Sequence, residues 1–214
     1  MNMNELILKK NYKGIEQTLA KNPSLANEGI SYDDVNTTKA HPLHRLCDRI
    51  FSNLITDEEG VEIAKLFLKY GANINGDALK EKQDTPLSAA CSLHADQLAL
   101  LYIEKGAEIH HPGCHGGTAL HWAAWTGRPL LVKILVEKGA EINKLCIDFK
   151  ATPLFWGIHG LKNGGYGNME DCLEITRTLL RAGADKSIPN GNGFKVFDMV
   201  GNEDTALKDL LNGS

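Results

Sequence analysis

Residues 118–143 read "TALHWAAWTGRPLLVKILVEKGAEIN", and the phrases at the two ends of this stretch decide the fold. The first phrase, "TALHWAA", returns as "TPLSAAC" at 85, "TPLFWGI" at 152 and, more weakly, "HPLHRLC" at 41. The four copies start 44, 33 and 34 residues apart. The second phrase, "ILVEKGAEIN", also follows the other copies, as "LFLKYGANIN", "LYIEKGAEIH" and "TLLRAGADKS". Two phrases at nearly constant separation predict an internal structural repeat.

Each repeat is predicted to contain two short helices and a turn. Thr-Pro pairs at 85 and 152 predict the first helix, since threonine caps a helix and proline is tolerated at its first position. The second helix has apolar residues at i, i+1, i+4 and i+5, which gives it one apolar face. It ends at a glycine suited to the left-handed conformation, namely Gly71, Gly106, Gly139 or Gly183. Such a repeat cannot bury its apolar face alone, so neighbouring repeats are expected to stack.

The two phrases resemble the ankyrin repeat, whose period of about 33 residues and T-P-L-H-x-A phrase match this pattern. The resemblance covers roughly residues 41–200. It implies an all-α fold, an ankyrin-repeat solenoid of helix-turn-helix units joined by hairpin-like fingers. Repeats of this family bind partners through a concave surface formed by first helices and fingers.

The repeat boundaries predict one ankyrin-repeat domain over residues 1–214. It would comprise an N-terminal capping helix pair (1–40), repeat 1 (41–75), repeat 2 (85–110), repeat 3 (118–143), repeat 4 (152–187) and a C-terminal cap (194–214). Repeats 1 and 4 carry insertions between their helices, at 48–60 and 160–171. The first insertion holds apolar residues that would extend its helix and cover its own surface. The second is glycine-rich and predicts a flexible loop.

Two long repeats flanking two short ones predict a saddle, with Ser92, Trp125 and His159 near its floor. Trp125 occupies a position that faces outward in the family, and an aromatic side chain there suits an anchor for a partner protein. The alternative is that Trp125 packs under the 160–171 loop. Phe149 is a second exposed aromatic candidate, unless it packs back on the adjoining helix. The remaining candidates for partner binding are Asp48, Arg49, His115 and Tyr166.

The segment 110–127, "HHPGCHGGTALHWAAWTG", is dense in histidine and tryptophan. The resemblance implies that His121 holds a turn through local hydrogen bonds, and Trp122 recurs as Trp156 one repeat later, as a stacked core requires. Residues 111–115 are expected to span an exposed finger. Structural zinc usually needs paired ligands such as CxxC, and a catalytic cysteine needs a rigidly held base. The sequence therefore predicts no metal, no cofactor and no catalytic residue.

The composition sets limits on the class of protein. With 43% hydrophobic and 23% charged residues, the chain of 214 residues is typical of a soluble folded protein. Its longest apolar runs are far shorter than the roughly 20 residues of a transmembrane helix, and its start lacks the order of a secretory signal. Five scattered cysteines indicate reduced thiols and a cytoplasmic location. A net charge of −4 argues against binding to nucleic acid or to anionic membranes.

These observations favour a non-enzymatic protein–protein interaction module that is monomeric and binds a partner protein through its concave and finger surface. It would act as an inhibitor or regulator of that partner. Two alternatives stay open. One is a secreted effector or immunity-type protein, and the other is a small-ligand or metal-binding protein that uses the saddle.

Overall fold

The computed structural model describes residues 1–33, 35–77, 79–165 and 167–213, and α-helices dominate this part of the chain. Contacts divide the chain into two compact units. The first unit comprises Met1–Leu79 and Thr85–Glu108, and the second comprises Lys80–Asp84 and Ile109–Ser214. Within the described ranges, no helix combines the length and apolar character that crossing a membrane requires.

Helix pairs build the first compact unit. Its helices are α1 (Met3–Leu8), α2 (Tyr12–Lys21), α3 (Pro42–Phe51), α4 (Asp57–Lys69), α5 (Pro86–Ser92) and α6 (Asp96–Glu104). Two short strands, β1 (Ile30–Ser31) and β2 (Lys39–Ala40), pair antiparallel before α3. Helix α3 packs against α4 and α5, and α6 packs against α4 and α5. Repeats 1 and 2 therefore stack helix on helix.

The second compact unit repeats this arrangement. Its helices are α7 (Ala119–Trp125), α8 (Pro129–Glu137), α9 (Pro153–Lys162), α10 (Met169–Arg181) and α11 (Thr205–Gly213), with short 3₁₀ turns at Cys114–Gly116 and Val196–Met199. Helix α7 packs against α8 and α9, and α10 packs against α8, α9 and α11. The all-α fold expected from the sequence is confirmed.

The predicted helix starts and ends are confirmed. The hydroxyls of Thr85 and Thr152 each accept a backbone N–H three residues later at 3.2 Å, and a proline follows each threonine at the first helical position. In repeat 1, His41 takes the place of threonine, because its Nδ1 accepts the Leu43 N–H at 3.3 Å. All four terminal glycines have φ between +81° and +94°, which favours glycine over any residue with a Cβ.

The second helices bury the apolar face predicted for them. Leu131, Val132 and Leu135 of α8 are almost fully buried. In the first helices, Cys47 and Cys91 lie in the core, where a thiol packs as a small apolar group. Burial raises the pKa of both thiols, so both stay protonated at neutral pH.

Both insertions mainly lengthen helices. Helices α3 and α4 contain 10 and 13 residues, whereas α5 and α6 of the next repeat contain 7 and 9. Helices α9 and α10 likewise contain 10 and 13 residues, against 7 and 9 in α7 and α8. The expected extension in repeat 1 is confirmed, but the expected cover of its apolar residues is wrong in part, since Phe51 and Leu54 are each 46% exposed. In repeat 4 the predicted loop 160–171 is too long, since only 163–168 connects the helices.

The lengthened α4 also caps its neighbour. The Asp57 carboxylate at the start of α4 accepts the backbone N–H groups of Gln97 and Leu98, at 2.7 and 3.0 Å. These N–H groups lie in the first turn of α6. The N-cap residue of α6 is Ala95, which has no side-chain hydrogen-bond acceptor. Part of the first insertion therefore supplies the helix cap that repeat 2 lacks.

Candidate partner-binding groove

The ends of helices α7 and α9 lie in very close contact because glycines face the end of α7. A Cβ on Gly160 or on Gly165 would overlap the carbonyl oxygen of Trp125, and Gly127 lies equally close to Gly167. The glycine-rich segment is thus packed against the end of α7, and the flexible loop predicted from its composition is wrong for these glycines. This packing fixes the backbone of Trp125 beside α9.

Trp156 of α9 is the centre of an aromatic cluster. Its ring centroid lies 5.1 Å from Trp122 and 6.0 Å from Trp125, with interplanar angles of 90° and 71°. Phe149 approaches the same ring at 6.2 Å, and His159 lies 5.3 Å from Trp125. Edge-to-face pairs of this kind contribute about 0.5–1.5 kcal/mol each beyond the burial of area. These five residues together form an aromatic wall.

This wall borders an open groove of about 360 Å³ in the second compact unit. The lining residues are His115, Trp122, Trp125, Phe149, Ala151, Phe155, Trp156, His159, Asn190 and Asn192. All 3 tryptophans of the chain belong to this set. Phe149 at the rim is 50% exposed. An open groove lined mainly by aromatic side chains is typical of a binding site.

Hydrogen bonds between neighbouring fingers fix the rim of the groove. His115 Nδ1 lies 3.2 Å from Asp148 Oδ2, and the other oxygen of Asp148 accepts from Lys82 Nζ. These two partners hold the pKa of the Asp148 carboxyl below its usual range. The His115 ring also lies 5.2 Å from Phe149, so the contact with Asp148 positions an aromatic edge of the groove.

His159 lies between two aromatic rings inside the groove. Its centroid is 5.3 Å from Trp125 and 6.0 Å from Phe155. Burial among these rings lowers the pKa of the imidazole, since a charged form loses hydration there. His159 is accordingly neutral at pH 7.

Residues 53–146 match the family model described as ankyrin repeats, in 3 copies. This chain contains ankyrin repeats. The matched ankyrin segment begins within the first insertion and ends in the finger before α9. Helix α9, which carries Trp156 and His159 of the aromatic wall, follows that segment.

The ankyrin repeats also relate the chain to larger proteins. It is 34% identical over 98 residues to "Putative palmitoyltransferase ZDHHC13" of Danio rerio, covering 46% of this chain and 14% of that protein. It is 32% identical over 134 residues to "Palmitoyltransferase ZDHHC13" of Mus musculus, covering 58% and 20%. "Palmitoyltransferase ZDHHC17" of Homo sapiens is 33% identical over 91 residues, covering 42% and 13%. The chain thus spans at most about a fifth of the length of these relatives.

The groove brings together four of the residues predicted from the ankyrin pattern, namely Trp125, His159, Phe149 and His115. The carbonyl of Trp125 packs under the glycine-rich segment, and the residue also lines the groove. Its role as an anchor for a partner protein stays a prediction. Tyr166 lies outside the described residues. Ser92, Asp48 and Arg49 belong to the first compact unit, so the saddle that would join both units stays a prediction.

Arg49 was predicted on the binding surface, and this prediction is wrong. The side chain is 2% exposed, with Nη2 donating to Asn4 Oδ1 at 2.8 Å and also to the Tyr32 carbonyl. Its guanidinium lies over the Tyr32 ring, 5.0 Å from the centroid. Asp48 likewise accepts from buried Arg45. Arg49 joins earlier segments to α3, and so does Arg45, which donates to the Ile30 and Thr38 carbonyls.

His121 holds the turn as predicted. The imidazole is fully buried, with Nδ1 accepting the Thr118 N–H at 3.1 Å and Nε2 3.2 Å from the Ala151 carbonyl oxygen. His111, by contrast, was predicted on an exposed finger but is buried, with Nε2 2.9 Å from the Gln83 carbonyl oxygen. Across the described ranges, no group of three or more His, Cys, Asp and Glu side chains is arranged to hold a metal ion.

Asn190 and Asn192 line the groove but were not among the predicted residues. They lie in "PNGNG" at 189–193, between repeat 4 and the C-terminal cap. The helix-ending glycines do point to them, since His115 follows Gly106 by 9 residues, Phe149 follows Gly139 by 10 and Asn192 follows Gly183 by 9. The degraded phrase of the C-terminal cap concealed this finger.

Proposed function

We propose that this chain is a non-enzymatic protein-interaction module whose partner places apolar side chains in the aromatic groove of the second compact unit. The observation that carries the proposal is the concentration of three tryptophans and two phenylalanines along one open groove. Aromatic residues dominate binding energy at protein interfaces because they bury large areas with few rotatable bonds. Folding of the repeats alone does not require Phe149 to remain half exposed.

The remaining features support binding without catalysis. Burial raises the pKa values of the Cys47, Cys91 and Cys172 thiols, which makes them poor nucleophiles at neutral pH. The palmitoyltransferase activity named for the relatives is not carried over, because the match covers at most 20% of their length. We further propose a cytoplasmic, monomeric protein that regulates or inhibits its partner. Five free cysteines fit a reducing compartment.

Affinity capture with Phe149→Ala tests the proposed function. The wild-type chain and the variant are immobilised, incubated with native lysate, and compared by quantitative mass spectrometry. Phe149 is half exposed, so its removal should leave the fold intact and reduce recovery of a specific partner about tenfold. A tenfold loss corresponds to about 1.4 kcal/mol, an ordinary value for an interface aromatic.

Leu130→Ala provides the matched control. Leu130 on α8 is 56% exposed and does not line the groove, so its loss removes a similar exposed apolar surface elsewhere in the same compact unit. Partner recovery should be unchanged by Leu130→Ala. Equal recovery by wild type and Phe149→Ala would contradict the proposal.

A further inference from the structure

The aromatic groove is lined by imidazole side chains and by side chains without a charge. Among the described residues that line it, none is an aspartate, glutamate, lysine or arginine. On the rim, the Asp148 carboxylate is paired with Lys82 and also contacts His115. A charged side chain entering the groove would therefore lose hydration and find no counter-ion, a cost that buried charges do not recover without a partner.

The tryptophan faces are also partly covered. In the pairs Trp122–Trp156 and Trp125–Trp156, interplanar angles of 90° and 71° place the edge of one ring on the face of the other. His159 lies against Trp125 at an angle of 32°, which covers part of another face. A cation bound through its attraction to π-faces needs those faces open. The wall therefore favours a neutral apolar group over a methylated or simple ammonium group.

The polar end of the groove is suited to peptide groups. Asn190 Oδ1 accepts the backbone N–H groups of Asn192 and Phe194, both at 3.0 Å, which fixes the orientation of this amide. Asn190 is also part of the groove lining, and an amide nitrogen carries two hydrogens that can be donated to a ligand. The amide N–H groups can donate hydrogen bonds to main-chain carbonyl oxygens of a ligand. In a helical ligand those oxygens already accept hydrogen bonds within the helix, whereas in an extended ligand they are open. The amide end thus favours an extended segment.

The size of the groove limits the number of side chains. An apolar cavity of about 150 Å³ holds a benzene molecule. A volume of about 360 Å³ therefore accommodates roughly two apolar side chains of that size.

We propose that the groove binds an extended, uncharged peptide segment of the partner, with one or two neutral apolar side chains against the tryptophans and a main-chain carbonyl on Asn190. This inference rests on the proposed function and specifies the chemistry of the partner. Asn190 acts here as a binding residue through Nδ2, and its Oδ1 only positions the amide.

Panning of a phage-displayed library of random 12-residue peptides on the immobilised full chain tests this proposal. Binding of the enriched peptides is measured on wild type, on Phe149→Ala and on Asn190→Asp. Asn190→Asp retains the oxygen that accepts from Asn192 and Phe194 but removes the Nδ2 donors. Asn212→Asp, an exposed site on α11, adds the same negative charge outside the groove. Choline chloride, with sodium chloride as the ionic control, serves as a cationic competitor.

The expected peptides lose binding with Phe149→Ala and share an uncharged core with one or two apolar residues. Asn190→Asp should weaken the affinity of these peptides about tenfold, whereas Asn212→Asp and choline should leave their affinity unchanged. Phe149-dependent peptides that are rich in lysine or arginine, that choline displaces, or that tolerate Asn190→Asp would overturn the inference and leave the proposed function standing. If no enriched peptide depends on Phe149, the inference is contradicted, whereas the proposed function is tested separately by the affinity capture with Phe149→Ala.

Discussion

His121 is a neutral imidazole buried in the turn before α7, where burial lowers its pKa to about 4 from the ordinary 6.5. The unfolded chain takes up this proton below about pH 6.5, whereas the folded chain takes it up only near pH 4. The free energy of unfolding should therefore fall as the pH is lowered through this window, by about 3 kcal/mol in total at 1.36 kcal/mol per pH unit. Urea unfolding at a series of pH values from 7.5 to 4.5 measures this slope.

His121→Gln is the control for this titration. The variant lacks the imidazole but retains His41 and His159, whose pKa values burial also lowers. Its unfolding free energy should vary less with pH between 6.5 and 4.5 than that of wild type. An identical slope in the variant would show that His121 does not titrate in this window. Carboxyl groups with lowered pKa values, such as Asp148 and Asp204, act mainly at lower pH.

Individual residues were predictable where the repeat defines their surroundings. His121 could be placed because its partners belong to the repeated phrase and to the next finger. Arg49 could not, because its acceptors lie on Asn4 and Tyr32, in a segment without the repeat. A charged residue at a family-variable position looks exposed from the sequence alone. Its burial depends on contacts between segments that are distant in the chain.

At the scale of elements, two glycines of α9 have different roles. A Cβ on Gly160 would overlap the backbone of Trp125, whereas a Cβ on Gly157 would meet its nearest atom, Ile175 Cγ2, at an ordinary 3.4 Å. Gly160→Ala should therefore force α9 away from α7 and cost about 1–3 kcal/mol. Gly157→Ala should be neutral or stabilise the helix by about 0.5–1 kcal/mol.

Both variants are compared by urea unfolding followed by far-UV circular dichroism, which reports helix content. The two substitutions lie in one helix and add the same methyl group, so helix propensity cancels between them. Similar stabilities of the two variants would rule out the close approach of Gly160 to Trp125. A tryptophan emission change in Gly160→Ala would accompany the displacement, since Trp125 and Trp156 both lie at this contact.

The helices themselves followed from the sequence, but the insertions did so only in part. Apolar residues in 48–60 correctly indicated a longer helix. In 160–171 the glycines suggested flexibility, although Gly160 and Gly165 are required for close backbone contact with α7. Chain flexibility and close backbone packing both depend on the absence of a Cβ in glycine, so the amino-acid composition alone cannot distinguish them. The distinction needs the position of the neighbouring helix.

At the scale of the whole molecule, the groove depends on several repeats at once. The repeat register placed Trp125, Phe149 and His159 at equivalent or adjacent surface positions, and the structure brings their side chains together. The register could not identify Trp122 and Trp156 as groove residues, because their recurrence equally fits a core. The repeat register also does not reach Asn190, because the repeated phrase is lost there. To predict these groove residues, the sequence would have had to show the side-chain directions at the end of the array.

The cysteines provide a test that samples both compact units. Cys47, Cys91, Cys146 and Cys172 are buried, whereas Cys114 on a finger is partly accessible. Only thiolates react rapidly with a disulfide reagent, and only where the reagent can reach them. The native chain should therefore expose one of its 5 thiols to 5,5′-dithiobis(2-nitrobenzoate). Because burial and Asp84 raise the pKa of Cys114, this reaction should quicken as the pH is raised.

Unfolding in guanidinium chloride should release all 5 thiols without prior reduction, if the cysteines are free as in the structure. Cys114→Ser should abolish the native reaction while lowering the denatured count by one. Rapid reaction of two or more thiols in the native chain would mean that a core cysteine is reached through local opening. Fewer than five thiols after denaturation would instead reveal an oxidised pair, and would contradict the reducing compartment proposed for this protein.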